Sequence, residues 1–132
     1  MNGTELSVEP LRESDAVATC NLFARAHVTC HCQYWRFTGE KNAWLERCAF
    51  TPEDNRAAFL AEVRETEHPI GVIAKAGGAV VGWARVSTRV ALPKLFRLPV
   101  YKQAGEAPGA RTLGCLLVDP TYRAQGVARA LV

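Results

Sequence analysis

The sequence predicts a mixed fold of the α/β or α+β class, and three observations support this prediction. Residues 4–11 alternate apolar and polar side chains, which is typical of a half-buried strand. Two apolar runs flank the pair Gly77-Gly78, which is typical of a β-hairpin. Helical patterns separate these segments, so the predicted order is strand, helices, hairpin, loop, strand and helix.

The composition is that of one folded domain over residues 1–132. Of these residues 48% are hydrophobic and 22% are charged, which argues against a disordered or fibrous chain. The start lacks the pattern of a signal peptide, and Lys75 interrupts the best candidate for a membrane span. Five cysteines, an odd number, favour reduced thiols over a disulfide framework. We therefore expect a cytoplasmic protein without a membrane segment.

Charge is distributed unevenly along the chain. The net charge is +3, with −4 in residues 1–70 and +7 in residues 71–132. A basic second half indicates an anionic partner, either a nucleic acid or a phosphate-rich cofactor, or else a solvated surface with chance clustering. A nucleic-acid partner is disfavoured because the basic residues are spread over strands and loops without an aromatic platform motif.

Two helices are predicted between the first strand and the hairpin. Ser14 is the predicted cap of the first helix, in which Val17, Cys20, Ala24 and Val28 lie near helical spacing. In the second helix Thr51 is the predicted N-cap and Pro52 fits the first helical position. Two acidic residues then suit the positive end of the helix dipole, Glu53 and Asp54. The predicted buried stripe of this helix is Ala57, Leu60 and Val63.

The second half begins with the hairpin and ends with a strand that leads into a helix. Gly77 and Gly78 accept the positive φ values of a tight turn. Residues 89–111 contain three prolines and two glycines, which predicts a long loop. Residues 112–118 form an apolar run of strand length, predicted to be buried on both faces.

The stretch that follows the last strand has the features of an anion-binding loop. The first N–H groups of a helix have no partner inside the helix, so they are free to bind a negatively charged group. Arg123 supplies a full positive charge, Gly126 lets the backbone approach a ligand, and Ala128 keeps the next turn small. The loop lacks the Gly-Lys-Ser/Thr of a Walker loop and the three spaced glycines of a dinucleotide fingerprint.

This loop resembles the acyl-CoA loop of the GNAT acetyltransferase superfamily. That motif has Arg or Gln, two residues, Gly, one residue, then Gly or Ala, and here it reads Arg123-Ala124-Gln125-Gly126-Val127-Ala128. The preceding CLLVDPTYR resembles the superfamily's fourth strand, and ARALV resembles the start of its third helix. The resemblance implies a mixed, mostly antiparallel sheet flanked by helices.

The resemblance also implies acetyl-CoA as co-substrate. Its pyrophosphate is expected on the loop amides, and its pantetheine arm is expected to pair with the last strand as an added strand would. The implied cofactor-binding residues are Leu116, Leu117, Val118, Arg123, Ala124, Gln125, Gly126, Val127, Ala128 and Arg129. The implied reaction moves the acetyl group to a primary amine of a small molecule or protein by direct attack. The general base and the general acid cannot be assigned from the sequence.

A complete domain of this superfamily has more strands and another helix after its third helix. We therefore expect the N-acetyltransferase domain over residues 1–132 to be incomplete at its C-terminus, with the last strand at an edge of the sheet. An exposed edge strand favours pairing with another chain, including a homodimer. The alternative to an enzyme is a non-catalytic fragment that binds CoA or a partner.

The other conspicuous motif is Cys30-His31-Cys32, which aromatic residues follow. One interpretation is a metal or redox module, with a low-pKa thiol near Arg36, although a zinc site needs four convergent ligands at wider spacings. We expect no metal. A second interpretation is buried cysteine packing. A third follows from the resemblance, which places this segment at the acceptor site and implies that four residues shape acceptor choice: Cys32, Tyr34, Trp35 and Arg36.

Overall fold

The computed structural model describes residues 5–100 and 110–132. Its helices and strands, in chain order, are β1 (Leu6–Pro10), α1 (Ala16–Arg25), α2 (Lys41–Phe50), α3 (Pro52–Glu65), β2 (Gly71–Ala76), β3 (Ala79–Thr88), β4 (Arg111–Val118) and α4 (Val127–Leu131). Short 3-10 turns at Glu13–Asp15, Arg89–Ala91, Pro93–Arg97 and Pro120–Tyr122 connect them. No helix in the described ranges is long and apolar enough to cross a membrane.

The strands of the described residues form one antiparallel sheet in the order β1-β2-β3-β4. The predicted hairpin is confirmed, with β2 and β3 joined by Gly77 and Gly78 at φ of 58° and 85°. Both angles lie in the left-handed region that glycine adopts without a steric cost. The expectation of a mixed fold with a mostly antiparallel sheet flanked by helices is therefore confirmed.

Helices cover both faces of the sheet. On one face α1 and α3 contribute Phe23 and Phe59, which pack edge-to-face against each other and against Trp83 of β3. On the other face α4 packs Val127 and Leu131 over the alanines of β2 and β3. These two layers bury the centre of the sheet and leave its β4 margin less covered.

The predictions for the first strand and helix were partly right. The strand exists, although residue 4 lies outside the described part of the chain. Ser14 is not the cap, because it lies inside a 3-10 turn and Asp15 takes the N-cap position of α1. Of the four residues near helical spacing, Cys20 is fully buried, Val17 and Ala24 are exposed, and Val28 lies beyond the end of α1. The buried face of α1 is Ala16, Thr19, Cys20, Leu22 and Phe23.

The second predicted helix is α3, and α2 was not predicted. Thr51 is the N-cap and Pro52 begins α3, as expected, but the predicted stripe was displaced. Ala57 is exposed, Leu60 and Val63 are partly buried, and the buried residues are Asn55, Phe59 and Glu62. Two of these are polar, so an apolar pattern could not identify the face. The weakly amphipathic helix α2 buries only Trp44.

The predicted loop between β3 and β4 contains the two 3-10 turns at Arg89–Ala91 and Pro93–Arg97, and its residues 101–109 lie outside the described part. The prediction that residues 112–118 are buried on both faces was wrong. β4 lies at the margin of the described sheet, where Leu113 is 49% exposed and Leu116 is 44% exposed. The helices pack over β2 and β3, so they leave these side chains uncovered.

Candidate functional site

A cavity of about 410 Å³ lies where the end of β4, the following loop and the start of α4 meet. Its lining residues are Leu116, Leu117, Val118, Tyr122, Arg123, Ala124, Gly126, Val127, Ala128 and Arg129. The structure therefore brings together every residue that the sequence analysis assigned to the cofactor except Gln125. Tyr122 is the additional lining residue, and its place in the turn after Pro120 gave no sequence signal.

The turn that follows β4 is fixed by Asp119. The Asp119 backbone N–H donates to the Val81 carbonyl at 2.8 Å, which keeps the end of β4 on the sheet. Its carboxylate accepts from the backbone N–H of Thr121 at 2.9 Å and from the Thr121 hydroxyl at 2.8 Å. The other carboxylate oxygen accepts from Arg25 Nε at 3.0 Å, so the end of α1 also supports the turn. Burial raises the pKa of Asp119, but the Thr121 and Arg25 hydrogen bonds outweigh burial and lower it.

The loop after this turn is tightly curled. Ala124 and Gly126 have φ of 62° and 84°, and the side chain of Gln125 donates back to the Thr121 carbonyl at 3.2 Å. Within the described part of the chain, the backbone N–H groups of residues 124–128 donate to no acceptor. Backbone amides that point out of a curled loop bind anions.

The electrostatics of the cavity also favour an anion. Arg123 and Arg129 line it, and no acidic side chain does. β4 contributes Leu116, Leu117 and Val118 to the apolar part of the lining, and it lies at the edge of the described sheet. The cavity therefore combines a strand edge, free amides and two guanidinium groups, which suits a ligand with both a peptide-like arm and phosphates.

The segment between α1 and α2 contacts β4 next to this cavity. Trp35 Nε1 donates to the Gly114 carbonyl at 3.0 Å. Gly114 is an extra residue of β4, because Arg85 pairs with Cys115 while Val86 pairs with Leu113. Such a β-bulge bends the strand locally, and bulges occur preferentially beside binding sites. The indole thus reaches β4 two residues before the cavity lining begins.

The four predicted acceptor residues do not share one surface. Tyr34 is 43% exposed and Trp35 is partly buried beside it, with their rings 4.9 Å apart. Cys32 is in the interior, only 5% exposed. Arg36 turns toward the Glu62 carboxylate at 3.4 Å and donates to the Gln33 side chain at 2.7 Å. Tyr34 is exposed and Trp35 contacts β4, whereas Cys32 and Arg36 contact Arg85 and Glu62 in the interior.

The family model of the acetyltransferase (GNAT) family matches residues 33–132, which is most of the chain. The chain belongs to the GNAT family. Enzymes of this family use acetyl-CoA as co-substrate. The match includes β4, the curled loop and α4, so the whole cavity lies within the matched region.

A solved structure agrees with the GNAT assignment at the level of the fold. It is an aminoglycoside N-acetyltransferase in complex with CoA, 18% identical to this chain, with a TM-score of 0.52. The match covers 98% of this chain and 66% of the other chain, so the present chain spans about two-thirds of that protein's length. No curated protein sequence matches the chain significantly.

Inside this GNAT chain, a buried guanidinium lies behind the segment between α1 and α2. Arg85 of β3 is fully buried, and all five of its N–H donors are used. They bond the two Glu62 carboxylate oxygens at 2.8 and 2.9 Å, the Ser87 hydroxyl at 3.1 Å, the Cys32 carbonyl at 2.9 Å and the Cys32 sulfur at 2.9 Å. Arg85 could not be identified from the sequence, since a single charged residue in a strand does not reveal where its partners lie.

The Arg85 guanidinium changes the chemistry of Cys32. Burial raises the pKa of this thiol, but a hydrogen bond from Cys115 and the charge and hydrogen bond of Arg85 outweigh burial and lower it to about 6. One interpretation of the sequence is a low-pKa thiol near Arg36, whereas the guanidinium in contact with the sulfur is that of Arg85. In the described ranges, no group of three or more His, Cys, Asp or Glu residues is arranged to hold a metal ion.

Proposed function

We propose that residues 1–132 act as one N-acetyltransferase domain that moves an acetyl group from acetyl-CoA to a primary amine. The observation that supports this most directly is the cavity in which free loop amides, Arg123 and Arg129 meet the edge of β4. Membership of the GNAT family supports the reaction class. The acceptor is an amine of a small molecule or of a protein.

The cofactor is assigned to the cavity by chemical complementarity. Its pyrophosphate is placed on the amides of residues 125–128, because those groups have no acceptor in the described structure and lie in a basic surrounding. Its pantetheine arm carries amides much as a peptide does, and we place it along Leu116, Leu117 and Val118. The thioester then lies at the β4 end of the cavity, close to the bulge at Gly114.

The proposed reaction is direct transfer. The neutral amine nitrogen attacks the thioester carbonyl carbon, the new C–N bond forms, the C–S bond breaks, and the CoA thiolate takes a proton. We assign polarisation of the carbonyl to a backbone N–H near Val118, since a fixed N–H dipole stabilises the developing oxyanion. The groups that deprotonate the amine and protonate the thiolate stay unassigned.

We assign the acceptor side to the segment between α1 and α2. The hydrogen bond from Trp35 to Gly114 supports this assignment, because it holds the segment against β4 beside the proposed thioester position. Tyr34 and Trp35 are the residues placed to contact the acceptor. Cys32 and Arg36 are assigned an indirect part, since they anchor the segment to Arg85 and Glu62.

A second candidate is a domain that binds CoA or a partner without turnover. The observation that favours it is that the cavity offers groups for CoA binding, whereas no described residue is assigned as the general base or the general acid. Binding and turnover must therefore be measured separately on the same preparation.

The test combines calorimetric titration with acetyl-CoA and a transfer assay against a panel of amines, with one variant for each half of the site. Arg123→Glu places a carboxylate where we place phosphate, so we expect the affinity for acetyl-CoA to fall at least tenfold. Trp35→Ala is expected to change the acceptor KM while it leaves acetyl-CoA binding within about twofold. Arg64→Glu is the matched control, since Arg64 is an exposed residue of α3 outside the cavity.

The outcomes separate the two candidates. Saturable binding with transfer supports the enzyme, whereas saturable binding without transfer to any amine supports the non-catalytic domain. Absence of saturable binding by the folded protein contradicts both. If Arg64→Glu weakens binding as much as Arg123→Glu, the cofactor is not where we place it.

A further inference from the structure

Two cysteines from distant parts of the chain meet behind the proposed acceptor segment. Cys32 belongs to the segment between α1 and α2, and Cys115 belongs to β4, directly across from Arg85 of β3. Arg85 Nε donates to the Cys32 sulfur at 2.9 Å, and Cys115 packs against the core cluster that contains Cys32, so both cysteines neighbour the Arg85 side chain. Both thiols are free in this structure. Two reduced cysteines that neighbour one side chain in the core are placed to form a disulfide.

The charges around this contact favour an ionised sulfur. Arg85 and Arg36 both lie against Glu62, so two guanidinium groups face one carboxylate. The Nε–H of Arg85 points at the Cys32 sulfur at 2.9 Å, and the sulfur therefore acts as acceptor. A Cys32 thiolate balances the surplus positive charge, and a buried charge is stable only when it is paired in this way.

Among the described residues, no guanidinium donates a hydrogen bond to the other cysteines whose pKa values are perturbed. Burial raises the pKa of Cys20 to about 11, and burial also raises the pKa of Cys30. The pKa of Cys115 is raised by its hydrogen bond to Cys32 and by burial, so Cys115 remains a protonated donor. Peroxides react with thiolates much faster than with thiols, which makes Cys32 the preferred site of attack.

We propose that Cys32 and Cys115 are a reversible redox pair, in which a peroxide oxidises Cys32 and Cys115 closes the disulfide. In the first step the Cys32 sulfur attacks one oxygen of hydrogen peroxide, the O–O bond breaks, and sulfenic acid and hydroxide form. In the second step the Cys115 sulfur attacks the sulfenic sulfur, the S–S bond forms, and the S–O bond breaks. The departing hydroxide takes the Cys115 proton and leaves as water, and a dithiol reductant reverses the process.

The position of the pair gives the disulfide a structural consequence. Cys115 precedes Leu116 of the cavity lining and is partly buried near the margin of the sheet. The disulfide fixes the acceptor segment to β4 and removes the anionic acceptor of the Arg85 Nε–H. Any effect on acetyl transfer rests on the proposed function, whereas formation of the bond does not.

The experiment treats the folded protein with hydrogen peroxide and maps disulfides by mass spectrometry of non-reduced peptides. We expect a Cys32–Cys115 disulfide that dithiothreitol reverses. Cys115→Ser should stop the reaction at sulfenic acid on Cys32, which dimedone traps, and Cys32→Ser should leave Cys115 unmodified under the same exposure. Cys48→Ser is the control and should form the disulfide at the wild-type rate, because Cys48 makes no contact with the pair.

A second measurement keeps the proposal testable if Cys32→Ser does not fold. The thiolate absorbance near 240 nm of the Cys115→Ser protein should titrate with a pKa at least one unit below that of an ordinary thiol. A Cys32 that titrates as an ordinary thiol overturns the proposal. The proposal is also overturned if peroxide treatment of the folded wild-type protein modifies Cys30 or Cys48 first. It is overturned as well if the treatment yields no disulfide-linked Cys32–Cys115 peptide.

Discussion

Arg85 and Glu62 are the residues whose burial most constrains the interior of this protein. Arg85 is fully buried on β3, Glu62 is nearly so on α3, and their two hydrogen bonds join the sheet to the helix layer. A bidentate pair of this kind satisfies two charged groups that would otherwise be costly to bury. Gln33 also donates to Glu62 at 3.0 Å, so the segment between α1 and α2 is tied to the same carboxylate.

Removal of this carboxylate charge should be strongly destabilising. Glu62→Gln leaves the Arg85 guanidinium buried without an anion on α3, and we expect the free energy of unfolding at pH 7 to fall by about 3 kcal/mol or more. Urea unfolding followed by circular dichroism measures this change. Glu65→Gln is the matched control on the same helix, because Glu65 is exposed, and it should change stability by less than about 0.5 kcal/mol.

The same pair predicts how stability depends on pH. Burial raises the pKa of Glu62, but hydrogen bonds from Arg85 and Gln33 and the charges of Arg85 and Arg36 outweigh burial and lower it. Because the unfolded-state pKa is about 4.3, the stabilisation is complete above about pH 5 and is lost as the pH falls through 4.3 toward the folded-state pKa. Glu62→Gln should therefore lose less stability than wild type over that range. Equal acid sensitivity would contradict the role of this carboxylate.

At the scale of elements, β4, the curled loop and α4 form the unit that shapes the cavity. The Asp119 turn fixes how the chain leaves the strand, and positive φ at Ala124 and Gly126 directs the loop amides outward. Gly82 of β3 lets α4 approach the sheet, since a Cβ there would lie 2.7 Å from Val127 Cγ1. The position of the cavity therefore depends on small residues in β3 and in the loop.

A pair of glycine substitutions separates backbone strain from ligand binding. Gly126→Ala and Gly78→Ala both place a Cβ at positive φ, 84° and 85°, with no atom within 4 Å of it. Each should cost about 1–2 kcal/mol of stability, because L-residues are strained in the left-handed region. Only Gly126→Ala should also weaken acetyl-CoA binding, since Gly126 lies in the cavity and Gly78 in the hairpin turn. Titration calorimetry beside thermal unfolding measures both effects, and equal loss of affinity in the two variants would contradict the assignment.

At the scale of the whole molecule, the features that the sequence predicted correctly are those that neighbouring residues determine. The Thr51-Pro52 helix start and the Gly77-Gly78 turn follow from local backbone preferences. The residues that line the cavity are also close in sequence, because the loop folds back on the strand that precedes it, and their binding of the cofactor stays a prediction. The faces of α1 and α3, by contrast, depend on partners far away in the chain. Glu62 is buried only because Arg85 lies opposite, and no periodicity encodes that pair.

The exposure of β4 likewise could not be predicted from the sequence of the strand. Its apolar sequence resembles that of a central strand, yet the described sheet places it at an edge, with Leu113 and Leu116 exposed. An edge strand presents unpaired N–H and C=O groups on which another strand can assemble. β4 has eight residues, whereas the opposite edge strand β1 has five and ends at Pro10, which cannot donate a hydrogen bond. β4 is therefore the edge on which we expect a second chain to pair.

The 132-residue chain should accordingly associate in a concentration-dependent way through β4, which sedimentation velocity measures. Leu113→Lys should weaken the association at least tenfold, about 1.4 kcal/mol, because a lysine blocks strand pairing and avoids the cavity residues. Val8→Lys on β1 is the control, since Val8 is similarly exposed at 41%, and it should leave the association nearly unchanged. Saturating CoA should also favour the monomer if pantetheine occupies the same edge. If the chain stays monomeric at every concentration, the β4 edge is not a pairing surface. The same conclusion follows if Leu113→Lys and Val8→Lys weaken the association equally.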